Sequence, residues 1–224
     1  MSDGRPTIVP FGDSALLVSF GDEIHPELND RVRALAAAVA RARTAGAGWQ
    51  APIPAYASLL CSYDPLRMTA SAAQSALEGL VGRLTDQQPA QLPSAIVEIG
   101  VRYGGDDGPD LTDVAGRTGL TPAQVVELHA SVVYRAYMLG FAPGFAYLGQ
   151  VPAELELPRR TTPRQRVPQG SVAIAGRQTA VYPLATPGGW HLLGRTELRL
   201  WDVERDPPAL IAAGDSVRFV PLAD

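Results

Sequence analysis

Three stretches of this chain hold residues whose types and spacing could do chemistry. In Gly140-Phe141-Ala142-Pro143-Gly144-Phe145-Ala146-Tyr147-Leu148-Gly149, aromatic rings alternate with glycine, alanine and proline. The backbone can bend sharply there while Phe141, Phe145 and Tyr147 stand clear of bulky neighbours, which suits one wall of a ligand pocket. Pro158-Arg159-Arg160-Thr161-Thr162-Pro163-Arg164-Gln165-Arg166 follows, with four arginines in eight residues of an extended, proline-stiffened segment. Guanidinium forks match carboxylate or phosphate oxygens bidentately, so an anionic ligand is one reading of this segment. A solvated loop or a subunit interface is the other. His129 lies near the end of a helical stretch, just ahead of the strand that leads into Gly140. It could act as acid, base or phosphate ligand, or be a satisfied helix-end histidine. The third stretch, Tyr103-Gly104-Gly105-Asp106-Asp107-Gly108-Pro109-Asp110, puts three carboxylates in a Gly-rich loop. Mg²⁺ binding is one use for them. A plain turn with capping aspartates is the simpler one, because the EF-hand spacing and distal glutamate are missing.

Composition removes several alternatives. All 19 basic residues are arginine, so the chain supplies no Walker A lysine, Schiff base, biotinyl attachment point or Ser-Lys dyad. If ATP or biotin takes part, a partner must bring the lysine. A net charge of -4 and a pI near 5.4 give no electrostatic basis for non-specific binding to nucleic acid or to a membrane surface. No apolar run approaches the ~18 residues of a membrane span, and Met1-Ser2-Asp3-Gly4-Arg5-Pro6 lacks signal-peptide character, so the cytoplasm is the expected compartment. Cys61 has no second cysteine to pair with and lies in an apolar run, which makes it a core residue.

The elements that must position these residues fall into two groups. In the first, Ala15 to Phe20 and Ser58 to Tyr63 read as strands. A helix opens at His25-Pro26 with Leu28, Val32, Leu35, Ala36, Val39 and Ala42 at helical spacing, and a second runs from Thr69 to Leu84. Strand, helix, strand, helix predicts a small α/β sandwich. Gln87 to Pro93 is polar with two prolines, which is linker chemistry, and sets expected domains of residues 1-92 and 93-224. Beyond it, Ile96 to Tyr103, Val132 to Leu139, Ser171 to Ala175, Thr179 to Tyr182, Trp190 to Leu193, Leu198 to Trp201 and Ser216 to Val220 read as short strands separated by Gly and Pro. That pattern describes a barrel or sandwich. The one helical region, Leu111 to about Ala130, is broken at Gly119 and restarts with Thr121, Pro122 and Gln124 as N-cap, first position and capping-box partner. A helix-turn-helix is the weaker account of it, because its second helix offers no phosphate-binding cation.

Several short motifs together resemble one family: Phe11-Gly12-Asp13-Ser14, Tyr63-Asp64-Pro65, Tyr103-Gly104-Gly105, Gly140-Phe141-Ala142-Pro143-Gly144-Phe145, Pro158-Arg159, Pro163-Arg164, Gly170-Ser171-Val172 and Pro187-Gly188-Gly189-Trp190. The chain is similar, almost end to end, to the bacterial KipI family, which includes the B-type subunit of ATP-dependent 5-oxoprolinase and the smaller of two so-called allophanate hydrolase subunits. The resemblance implies an α+β fold: a small N-terminal domain followed by a C-terminal cyclophilin-like β-barrel. It implies a sister partner, the C-type subunit of 5-oxoprolinase, which resembles KipA and the other allophanate hydrolase subunit. The pair is similar to the carboxyltransferase part of urea carboxylase. A third, A-type subunit joins them to open 5-oxoproline to glutamate with ATP, and with Mg²⁺ as its companion ion. The family also includes an inhibitor of a sensor histidine kinase, which is the alternative role; an allophanate hydrolase or urea carboxylase-related subunit is a further one. On this reading the ligand is a small cyclic amide carboxylate. The candidate binding residues are Phe141, Pro143, Gly144, Phe145, Tyr147, Arg159, Arg164, Arg166, Gly188, Gly189 and Trp190, with His129 for proton transfer and no metal ligands. The chain is expected to be inactive alone, since it holds no complete nucleophile system.

Overall fold

A computed structural model describes residues 5–85 and 96–223. The chain divides into two compact units, Met1–Leu92 and Pro93–Asp224. The expected linker from Gln87 to Pro93 lies outside the described residues.

In the first unit, β1 (Thr7–Pro10), β2 (Ala15–Ser19), β3 (Ile53–Pro54) and β4 (Ser58–Ser62) form an antiparallel sheet of order β1-β2-β4-β3. Leu16 faces Cys61 and Val18 faces Leu59 across the central pair, so period-2 alternation puts all four on one buried face. Helices α1 (Pro26–Thr44) and α2 (Ala70–Thr85) cover that face through Val32, Leu35 and Val39 and through Ala73 and Leu77. The His25 ring accepts the Glu27 amide as N-cap of α1, ahead of Pro26. Burial raises the Cys61 thiol to about 12, which marks an inert core residue. Sequence periodicity passes over β1, where only Ile8 packs inward.

The second unit is built from β5 (Ile96–Tyr103), β6 (Val133–Leu139), β7 (Ala146–Gly149), β8 (Arg164–Val167), β9 (Ser171–Ala175), β10 (Gln178–Val181), β11 (Thr186–Gly188), β12 (His191–Arg195) and β13 (Ser216–Pro221). Seven of these close into a barrel of order β10-β7-β6-β13-β5-β12-β9. All barrel neighbours are antiparallel except β13 and β5. A separate ribbon pairs β8 with β11. The helical region is α3 (Leu111–Thr118) and α4 (Pro122–Ala130), divided by Gly119 at φ 73°. The Thr121–Gln124 capping box forms in both directions, and Val114, Ala115 and Val125 join the barrel core. The chain is therefore α+β, a small α/β unit and a closed barrel.

Leu198 to Trp201 is not a strand, contrary to its apolar pattern. The Leu198 amide bonds the Thr196 hydroxyl, Leu200 accepts from Leu210, and Trp201 makes only an isolated bridge to Ala209. A pinned loop replaces the ladder.

Two glycines give opposite predictions. A Cβ on Gly108 would collide with the Leu193 carbonyl oxygen, so Gly108→Ala must displace backbone. It is expected to destabilise by about 1–3 kcal/mol in urea titration. Exposed Gly116, inside α3 with nothing near its absent Cβ, should gain roughly 0.5–1 kcal/mol as alanine.

Candidate functional site

The aromatic residues singled out in the sequence come together on one side of the barrel. Phe145 is central, with ring centroids 5.2 Å from Phe141, 4.9 Å from Tyr147, 5.4 Å from Tyr182 and 5.8 Å from Trp190, all edge-to-face. Phe141 is 62 % exposed although its ring leans on the cluster. Its backbone has φ 69°, the left-handed region that a bulky residue adopts at a cost. The turn is held by Phe145 N–H to Ala142 O at 3.0 Å and Gly140 N–H to Phe145 O at 3.1 Å. Pro143 is exposed at its tip, and Gly144 (φ 77°) packs where a Cβ would stand 2.9 Å from Trp201 Cβ.

The glycines before Trp190 serve this cluster. A side chain on Gly188 would meet the Tyr182 hydroxyl, and Gly189 offers its carbonyl to the Arg160 amide at 2.8 Å. Burial raises the Tyr182 phenol, against the Trp190 backbone amide and the charges of Arg159 and Arg164. Tyr147 is likewise raised by burial and lowered by Arg159. Arg164 pairs with Gly188 across the β8–β11 ribbon, and Gly188 lies against the Tyr182 ring, so this arginine and the cluster are neighbours.

The arginine segment is anchored by a residue that sequence reasoning placed in a turn. Asp110 is 4 % exposed. Its Oδ1 accepts Arg164 Nη2 at 2.7 Å and Arg160 Nη1 at 2.9 Å, and its Oδ2 accepts the Leu192 amide at 2.7 Å. Burial pushes this carboxyl up, but the Arg164 bond, the Leu192 amide and the two guanidinium charges outweigh it and hold the pKa below its usual value. Arg164 Nη1 and Arg160 Nε are buried without a hydrogen-bond partner, so each fixed guanidinium keeps a donor unmatched. Arg166, two residues on from Arg164 in β8, is exposed, as is Arg159. Asp107 also takes an arginine, Arg102, at 2.9 Å. Two of the three loop carboxylates are thus ion-pair partners within the fold.

His129 does not join the cluster. It is fully buried in the barrel, stacked 4.6 Å from the Phe219 ring. The Thr179 hydroxyl donates to Ala173 O at 3.1 Å, so His129 Nε2 carries the ring proton and donates to Thr179 at 2.9 Å. Nδ1 then accepts from the Tyr103 hydroxyl at 2.7 Å. Burial lowers this imidazole to about 3. With both nitrogens bonded inside the core, the proton-transfer role expected of His129 is corrected to a structural one. His191 is buried too, donating Nε2–H to Pro158 O at 2.9 Å and tying the arginine segment to β12. Tyr182, Arg160 and Asp110 are the site residues that sequence reasoning missed. Their signals were the aromatic end of a strand for Tyr182, the arginine-rich segment for Arg160 and an aspartate in a loop for Asp110.

The fold and this arrangement place the chain in the carboxyltransferase domain family, subdomain C and D, whose model matches residues 6–211; it belongs to that family. It is 40% identical to the B-type subunit of 5-oxoprolinase from Bacillus subtilis over 98% of this chain and 94% of that one. It is 54% identical to the corresponding 5-oxoprolinase subunit from Escherichia coli O157:H7 over 70% of this chain and 72% of that one. Among solved structures, TTHA0988 matches at 41% identity and a TM-score of 0.81, over 94% of this chain. This chain spans only 40% of that longer one. The Kluyveromyces lactis urea carboxylase shares the fold at 20% identity and a TM-score of 0.78, over 97% of this chain and 22% of that one. Among the described residues, no helix is long and apolar enough to cross a membrane.

The His129 assignment has a pH signature. Between the ordinary value of 6.5 and about 3, the unfolded chain binds a proton here that the fold does not. Stability should therefore fall as pH drops through that window, by up to about 1.4 kcal/mol per pH unit from this group. In urea titrations from pH 7 to 5, His129→Gln should flatten that slope; an unchanged slope would contradict a neutral buried imidazole.

Proposed function

We propose that this chain is the B-type subunit of an ATP-dependent 5-oxoprolinase-type assembly that opens 5-oxo-L-proline to L-glutamate together with a C-type sister subunit and an A-type ring-opening subunit. The observation that carries this reading is Arg164, its guanidinium fixed on Asp110 with a buried donor left unmatched and its backbone paired with Gly188, the glycine that lies against Tyr182 of the Phe145 aromatic cluster. A small ring bearing a carboxylate asks for that combination: an apolar face for the ring and a preorganised guanidinium donor for the anion. The naming of the Bacillus subtilis and Escherichia coli relatives supports the same choice of substrate.

In this reading Phe141, Phe145, Tyr147 and Trp190 form the apolar wall, and Gly188 and Gly189 let Tyr182 and the arginine segment close around it. Arg164 holds the carboxylate, while Arg159 and Arg166 offer exposed charge to further anionic oxygens. The fit of this chain to ATP rests on guanidinium groups alone, because it has no lysine. ATP supplies phosphoryl activation of the amide oxygen in the assembly, and this chain's residues orient and neutralise the anionic groups.

The test is reconstitution. The three-subunit mixture should hydrolyse 5-oxoproline only with ATP, and this chain alone should not. Arg164→Ala should lower turnover of the assembled complex at least about tenfold, equivalent to ~1.4 kcal/mol. Arg164→Lys should recover only part, since lysine cannot reproduce the fork. Gel filtration of each variant separates this effect from loss of assembly. An assembled complex with normal kinetics in both variants, or robust turnover by the isolated chain, would refute the reading.

A further inference from the structure

The arginines outside the aromatic site are not evenly spread. Arg102 near the end of β5 and Arg195 at the end of β12 are direct cross-strand partners. Opposed like charges on an antiparallel pair repel, and a fold normally avoids them or sets an anion between them. Here they open onto a cleft of about 470 Å³ whose lining also includes Arg199, Gln169, Thr196 and Glu197. Arg195 Nε is fixed on the Gln169 carbonyl at 3.0 Å, which leaves its two terminal nitrogens as donors. Arg102 is fixed by Asp107 at 2.9 Å.

The single lining carboxylate does not close the site. Glu197 pairs with Arg102 at 3.0 Å, but its side chain is 80 % exposed, and such a surface pair contributes little and is readily exchanged. Arg199 meets Asp202 only at 3.4 Å with its own side chain 68 % exposed. The lining itself carries three guanidiniums against one carboxylate, with Asp107 and Asp202 paired to two of those arginines. The cleft of the first unit shows the contrast: Asp13 and Glu78 line it, and no arginine does.

We infer that the Arg102–Arg195–Arg199 cleft binds the phosphate groups of a phosphate-bearing ligand. Several guanidiniums lining one space match a multiply charged anion rather than a single carboxylate. This site is separate from the aromatic cluster, so the outcome of 5-oxoproline turnover does not bear on it.

Calorimetric titration of the intact chain with sodium pyrophosphate at low ionic strength tests the inference. Binding at or below about 1 mM is expected, weakening as salt is added. Arg195→Ala/Arg199→Ala should weaken it at least about tenfold, while Arg218→Ala, which removes an exposed arginine of β13, should bind as the parent does. Thermal melts confirm that the variants fold, and Arg195→Lys, expected to bind at an intermediate level, provides a second reading if the double variant does not. No binding to the parent chain, equal binding by the parent and both cleft variants, or equally tight binding of L-glutamate would each overturn the inference.

Discussion

The buried Asp110 carboxylate is the interaction on which the second unit's functional side depends. It stands at the start of α3 and yet makes no side-chain cap there, because both oxygens are engaged elsewhere. One oxygen gathers Arg160 and Arg164; the other takes the amide of Leu192 in β12, whose carbonyl in turn accepts the Asp110 amide at 3.1 Å. A helix start, a barrel strand and an extended arginine segment are thereby joined at one point. Burying a charge is costly unless it is paired and hydrogen-bonded, and removing one partner leaves the others uncompensated. The arginine segment thus owes its placement to a residue some fifty positions earlier in the chain.

That long-range pairing explains what the sequence could and could not reveal. Helices α1 to α4 are legible because their determinants are local: apolar spacing, His25-Pro26, Gly119, and the Thr121–Gln124 box. The barrel strands are legible where alternation is clean, as in β5 and β13, or where a short apolar run stands between glycines, as in the fully buried β9. Short or proline-containing strands are not, and β7, β8 and β11 look like loops until a partner strand pairs them. The error at Leu198 to Trp201 has the same origin, since an apolar pattern states burial but not which backbone groups will pair.

The site divides along the same line. Gly140 to Gly149 has a composition that gathers rings, and the structure does gather them. Tyr182 enters through the fold, where the absence of a side chain at Gly188 makes room for its hydroxyl and its ring stands edge-on to Phe145. His129 stands as the opposite case: a histidine near a suggestive motif, whose ring is turned into the barrel between Phe219, Tyr103 and Thr179. Proximity in sequence carries no information about which side of a barrel wall a side chain occupies.

A double-mutant cycle on Asp110 and Arg164 tests the central claim most directly. Urea unfolding of the parent, Asp110→Asn, Arg164→Gln and the double variant gives the coupling between the two side chains. A hydrogen-bonded pair with a buried carboxylate predicts a coupling of about 2 kcal/mol or more. A coupling below about 0.5 kcal/mol, the range of an exposed surface pair, would contradict the account.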